Sequence, residues 1–166
     1  GKDGYFVAFT TGRAPQSLGY ALAARATELK GVRIHIQTPG LDFGWYDRDP
    51  VWEEAFQIKV GYVFPKGVVR EWIDERRGDY MPGTIIPFEE REDLQAPDIL
   101  LAEVSPPDDH GYCSFGASVW NKKEQVRAAR TVIAEVNPNL IKTYGENFVH
   151  ISEIDYFVEF QRTAGW

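Results

Sequence analysis

The sequence predicts an α/β fold: a mostly parallel sheet with helices on both faces. Three observations predict it. Short apolar runs rich in Val, Ile and Phe recur along the chain, and such runs suit strands buried on both faces. Segments with apolar residues at helical spacing lie between them. The alternation has the spacing of βαβ units, which feed parallel strands through right-handed crossovers. The 166 residues suit one unit with a real core, and 1–166 is expected to be a single α/β domain.

"YFVAFTT" (Tyr5–Thr11) is the first expected strand. "PQSLGYALAARATEL" follows, with Leu18, Leu22, Ala26 and Leu29 on one helical face, Pro15 in the first turn and Gly31 as the stop. "VRIHIQT" (Val32–Thr38) reads as strand, "PGLDFGWYDRDP" as a long loop and "PVWEEAF" as one or two helical turns. Ile58–Phe64 is β-like, and "KGVVREWIDERRG" is a charge-rich helix with a solvated outer face, ended by Gly78. "DILLAEVS" (Asp98–Ser105) is the clearest buried strand. "NKKEQVRAAR" is helical, Thr131–Asn137 is strand, and "EIDYFVEF" is the last strand.

Composition narrows the function. A formal net charge of −7 argues against a broad phosphate-backbone footprint, so no nucleic-acid partner is expected. No apolar run is long enough to span a bilayer, so no membrane is expected. The single cysteine, Cys113, cannot form an internal disulfide and points to a reducing, cytoplasmic setting. The chain starts at Gly1 without an initiator Met, which reads as a start that lies upstream or was processed.

Two loops carry the chemistry, because strand-to-helix loops line the usual ligand edge of an open α/β sheet. In "TTGRAPQS", Gly12 permits an unusual backbone angle, Arg13 adds a charge, and Pro15 and Gln16 open a helix whose free N–H groups would favour an anion. The loop is neither GxGxxG nor a P-loop; a plain tight turn is the other reading. In "DDHGYCS", Asp108, Asp109, His110 and Cys113 match no zinc spacing, and no metal is expected. His35 and His150 read as ordinary hydrogen-bonded histidines. Cys113 is not expected to be a nucleophile. Instead Gly111 and Gly116 give the loop freedom, while His110, Tyr112 and Ser114 line a pocket. Trp45 and Tyr46 are either core anchors or an exposed aromatic wall. The wall reading adds Phe43, Tyr112 and Phe115 and sets all three loops on one face of a cleft.

"EVSPPDDHGYCSFGASV", "VIAEVNPNL" and "HISEIDYFVE" occur in this order and spacing, preceded by "GRAPQSL". From about Gly4 to Glu159 the chain resembles the amino-terminal half of the acetyl-CoA hydrolase/transferase family, the class I CoA-transferases that include 4-hydroxybutyrate CoA-transferase. Its first loop carries less glycine than the family usually has there.

The resemblance implies that a glutamate attacks an acyl-CoA thioester and forms an enzyme-bound acyl anhydride. CoA thiolate then attacks the anhydride to give a glutamyl-CoA thioester, and a second carboxylic acid takes the CoA. It implies no tightly bound cofactor, an acyl-CoA and a small carboxylic acid as substrates, and an oligomer. The nucleophilic glutamate belongs to the family's carboxyl-terminal half, or to a second subunit. No glutamate here stands in that motif, Glu103 and Glu135 included. No catalytic residue is therefore expected in this chain, which alone should be inactive. Gly12, Arg13, Pro15, Gln16, His110, Gly111, Tyr112, Ser114 and Gly116 would bind substrate. The alternatives are a non-catalytic binding domain of the same fold and a metal-dependent hydrolase built on Asp108, Asp109 and His110.

Overall fold

The computed structural model describes residues 4–10, 12–37, 39–61, 66–81, 96–117 and 120–162. Thr11, Thr38 and residues 62–64 of the expected strands lie outside the described residues. The first half runs β1 (Phe6–Phe9), α1 (Gln16–Ala23), a 3₁₀ turn (Ala26–Glu28), β2 (Val32–Ile36), α2 (Pro50–Ala55), β3 (Phe56–Gly61), α3 (Gly67–Asp74) and β4 (Asp79–Met81). The second half runs β5 (Ile99–Val104), β6 (Tyr112–Ser114), α4 (Lys122–Ala128), β7 (Thr131–Val136), β8 (Phe148–His150), a 3₁₀ turn (Ile151–Glu153) and β9 (Tyr156–Glu159).

Seven strands form one parallel sheet in the order β4-β3-β2-β1-β5-β7-β9. The chain steps outward from β1 to β4, then returns to β5 on the other side of β1. The β1/β5 junction is therefore the topological switch point, and ligands of open α/β sheets sit beyond the carboxyl ends of the strands there. β6 and β8 pair as a separate antiparallel ribbon.

The two faces are covered differently. On one, Val7, Phe9, Ile34, Ile58 and Val60 pack with Ala23 of α1, Ala55 of α2, and Val69 and Trp72 of α3. On the other, Ala8, Leu100, Val104, Val132 and Ala134 pack with Val126 of α4 and with Cys113, Phe115 and Val149 from the ribbon and its flank. A ribbon thus shares with α4 the work that helices alone were expected to do.

Four departures from the sequence reading have physical causes. The helix expected over 15–29 divides into α1 and a 3₁₀ turn, with Arg25 between them at φ −97 and ψ 12. β4, β6 and β8 are three residues each, too short for a hydrophobic period to register. Of "EIDYFVEF", only Tyr156–Glu159 is strand, because His150 and Glu153 close a capping box on the preceding 3₁₀ turn. Finally, the loop at 39–48 is no aromatic wall. Phe43, Trp45 and Tyr46 are 4%, 1% and 2% exposed.

Those rings continue into the core. Phe43 and Trp45 lie 4.8 Å apart, Trp45 meets Phe9 and Phe56 edge-on, and Tyr46 meets Trp72 at 5.3 Å. Burial pushes the Tyr46 hydroxyl up to about 12. The loop packs its rings into the same core that α1, α2 and α3 cover. Gly19 makes room for it, since a Cβ there would stand 2.3 Å from the Phe43 ring.

Candidate functional site at the switch point

Glu103 and Glu135 stand side by side near the carboxyl ends of β5 and β7, paired in register and 2% and 0% exposed. Two adjacent buried carboxylates are tolerated only if each has its own donors. Glu103 receives Arg13 Nε–H at 2.9 Å, Arg13 Nη2–H at 3.4 Å and Asn137 Nδ2–H at 2.8 Å. Glu135 receives the backbone N–H groups of Gln16, Ser17 and Leu18 at 3.0, 2.5 and 3.3 Å, together with the Ser17 hydroxyl. Glu103 therefore orients the cation of the first loop, and Glu135 caps the helix that follows it.

This corrects the expectation that the start of α1 offers free donors to an anion. Its first N–H groups already hold Glu135, whose negative charge suits the positive end of the helix. The cation of this loop is Arg13, 29% exposed on its side chain and held through Nε and Nη2 against Glu103. Gly12 stands at φ +95, Pro15 is buried at the N-cap of α1, and Gln16 opens the helix. Arg162 crosses from beyond β9 to the Ala14 carbonyl at 3.4 Å, while its own carbonyl accepts from Asn139.

The second loop leaves β5 at the same edge. It divides into an exposed tip and a buried stem. Asp108 accepts the N–H groups of His110 and Tyr112 at 2.9 and 2.8 Å, so it shapes the turn. These bonds, the one from Tyr112 foremost, hold its carboxyl below the usual range. His110 and Tyr112 are exposed, and Gly111 stands at φ +81.

Ser114, expected to line a pocket, is instead fully buried. Its backbone N–H donates to Ser105 Oγ at 2.9 Å, and its own Oγ accepts the Gly116 N–H at 3.1 Å. Gly116, at φ +76, closes the stem against Leu140, and Phe115 is 2% exposed. Cys113 is fully buried, and burial pushes its thiol up, away from the thiolate a nucleophile needs. Among the described residues, no three of His, Cys, Asp and Glu are grouped to hold a metal ion.

Lys122 completes the edge and was missed from the sequence. At 2% exposure its Nζ donates to the Phe115 carbonyl at 3.1 Å and lies 5.6 Å over the Phe115 ring. Burial pushes its ammonium down to about 8, against the pull of Glu103. Glu103 and Glu135 share a signal that the sequence carries: a carboxylate inside an apolar strand-like run, here 2% and 0% exposed.

The acetyl-CoA hydrolase/transferase N-terminal domain profile matches residues 2–164. The chain belongs to this family. It is 41% identical over 99 residues to a 4-hydroxybutyrate coenzyme A transferase of Clostridium kluyveri, covering 58% of this chain and 23% of that protein. It is 36% identical over 141 residues to a succinyl-CoA:cyclohexane-1-carboxylate CoA transferase of Geobacter metallireducens, covering 84% of this chain and 31% of that one. The family fold also appears in RipA from Yersinia pestis, with a TM-score of 0.78 at 26% identity, covering 96% of this chain and 39% of RipA. The chain thus spans about a third or less of the curated relatives named here. No helix among the described residues is long and apolar enough to cross a membrane.

Proposed function

We propose that this chain is the amino-terminal, substrate-orienting part of a CoA-transferase or acyl-CoA hydrolase. The enzyme moves CoA between an acyl-CoA and a small carboxylic acid. The observation that carries the reading is the placement of Arg13: a cation at the switch point, aimed by a buried carboxylate, in a chain of this family. A guanidinium so held suits the carboxylate of the acceptor acid. Gly12, Pro15 and Gln16 shape that loop. Gly111 and Gly116 shape the second, whose tip brings His110 and Tyr112 toward the same substrate.

The nucleophilic glutamate comes from a carboxyl-terminal half or a second subunit. In the reaction, its carboxylate attacks the thioester carbonyl and CoA thiolate leaves; the thiolate then attacks the anhydride at the glutamyl carbonyl and the acyl group departs as a carboxylate. The acceptor acid reverses these two steps. Two buried glutamates of this chain, Glu103 and Glu135, are committed to Arg13 and to α1, which supports assigning the nucleophile elsewhere. No tightly bound cofactor is required. β9 keeps Tyr156, Phe157 and Val158 exposed at the sheet edge, which supports a larger assembly. A cytoplasmic location belongs to the same reading, supported by the lone cysteine.

CoA exchange between a radiolabelled acid and an acyl-CoA tests the proposal. The chain alone is expected to give no exchange above background, and adding the glutamate-bearing part should restore it. Turnover by the pure chain would refute the two-part reading.

A further inference from the structure

A cavity of about 630 Å³ opens at the opposite edge of the sheet, between α2, β3 and the turn after α3. It exists because β4 pairs with β3 only from Lys59 onward, so the stretch from Phe56 to Ile58 has no β4 neighbour. Its aromatic wall is made by Trp52 and Phe56, whose rings stack at 6.2 Å and 17°, with the buried Trp45 and Trp72 behind them. Gly78 lets the Trp72 ring close that wall, since a Cβ there would fall 1.6 Å from the indole.

The rim carries four cations, Arg33, Lys59, Arg76 and Arg77, against two carboxylates, Glu53 and Asp79. Arg77 is committed: it donates to the carbonyls of Tyr46 and Asp47 and bridges Glu53 at 3.4 Å. Lys59 lies 3.9 Å from Asp79. Arg76 is different. It is exposed, has no carboxylate partner among the described residues, and sits at φ +57. A glycine or asparagine would occupy this position after a helix with less strain. The strained arginine sets on the same rim as the rings a guanidinium with no ion-pair partner among the described residues.

We infer that this cavity is a ligand site for a planar aromatic ring bearing an anionic group. The ring would stack on Trp52 and the anion would meet Arg76. The volume lies in the range of small-molecule sites, and arginine with aromatic rings is the usual means of holding such ligands. Nucleoside monophosphates and aryl carboxylates share this chemistry. The site lies at the amino ends of the strands, away from the switch point, and is independent of the transferase reading.

Calorimetric titration of the 166-residue chain with AMP, and separately with 2-naphthoate, tests it. At least one should bind saturably at one site per chain. Arg76→Gly removes the guanidinium while relaxing the backbone, so it should fold normally and weaken binding at least tenfold. Trp52→Leu should do the same, and Arg13→Ala should leave binding unchanged. AMP alone binding would identify a nucleotide site; naphthoate alone would identify an aryl-acid site. Binding of neither, or binding lost with Arg13→Ala and kept with Arg76→Gly, would overturn the inference.

Discussion

At the carboxyl edge of the sheet, Glu103, Glu135 and Lys122 are all but fully buried, and each is met by a group of its own chain. At the amino edge, Arg76 stands exposed on the rim of a cavity walled by rings, with no ion-pair partner among the described residues. The difference teaches how to read charge in this molecule. A buried charge is expensive unless satisfied, so its partners are fixed and its task is to hold a loop or helix in place. An exposed cation on a cavity rim keeps much of its hydration and remains available to a ligand.

The comparison breaks most visibly if the buried carboxylates prove dispensable. Glu135→Leu strands three backbone donors at the start of α1 and should lower stability by about 4 kcal/mol in urea unfolding. A loss under about 1 kcal/mol would mean that water replaces the carboxylate and α1 is not anchored by it.

Lys122 gives the next largest effect, and pH reveals it. Its folded-state pKa is depressed to about 8, below the ordinary lysine value. Below pH 8 both folded and unfolded chains carry the charge, and the cost of burying it is fully present. As pH rises from about 8 toward 10.5, the folded chain releases its proton first, and stability should rise by up to about 3 kcal/mol relative to Lys122→Met. Parallel pH profiles of the two proteins would contradict a buried ammonium.

Cys113→Ala should cost about 1 kcal/mol, from a small cavity beside Phe115 and Val149, and should leave exchange by the assembled enzyme within about threefold. A drop of about 100-fold, with folding intact, would make the thiol catalytic. The smallest effect belongs to the exposed edge. Arg76→Gly should leave stability unchanged or raise it by up to about 1 kcal/mol in the same unfolding assay, since it removes a strained backbone and no contact. A clear loss would mean that the guanidinium has a structural partner.

The sheet was legible where apolar runs were long. Phe6–Phe9, Ile99–Val104 and Thr131–Val136 all lie where the pattern put them, and strand-helix alternation located both switch-point loops. What escaped was tertiary. Whether Phe43 faced inward depended on the space left by Gly19, more than twenty residues earlier. Ser114 looked like pocket chemistry because its sequence neighbours are His110 and Cys113, yet its hydrogen bonds close the stem on itself. The donors that claim Glu135 come from a helix 117 to 119 positions away, beyond any local pattern.

The account rests on Arg13 as the acceptor's anchor, and Arg13→Lys in the assembled enzyme tests this most directly. Lysine keeps the charge opposite Glu103 and loses the planar fork. The account predicts a KM for the acceptor acid at least about tenfold higher, the scale of losing a bidentate contact, with the KM for acyl-CoA and the midpoint of urea unfolding nearly unchanged. An unchanged acceptor KM in a normally folded Arg13→Lys enzyme would contradict it.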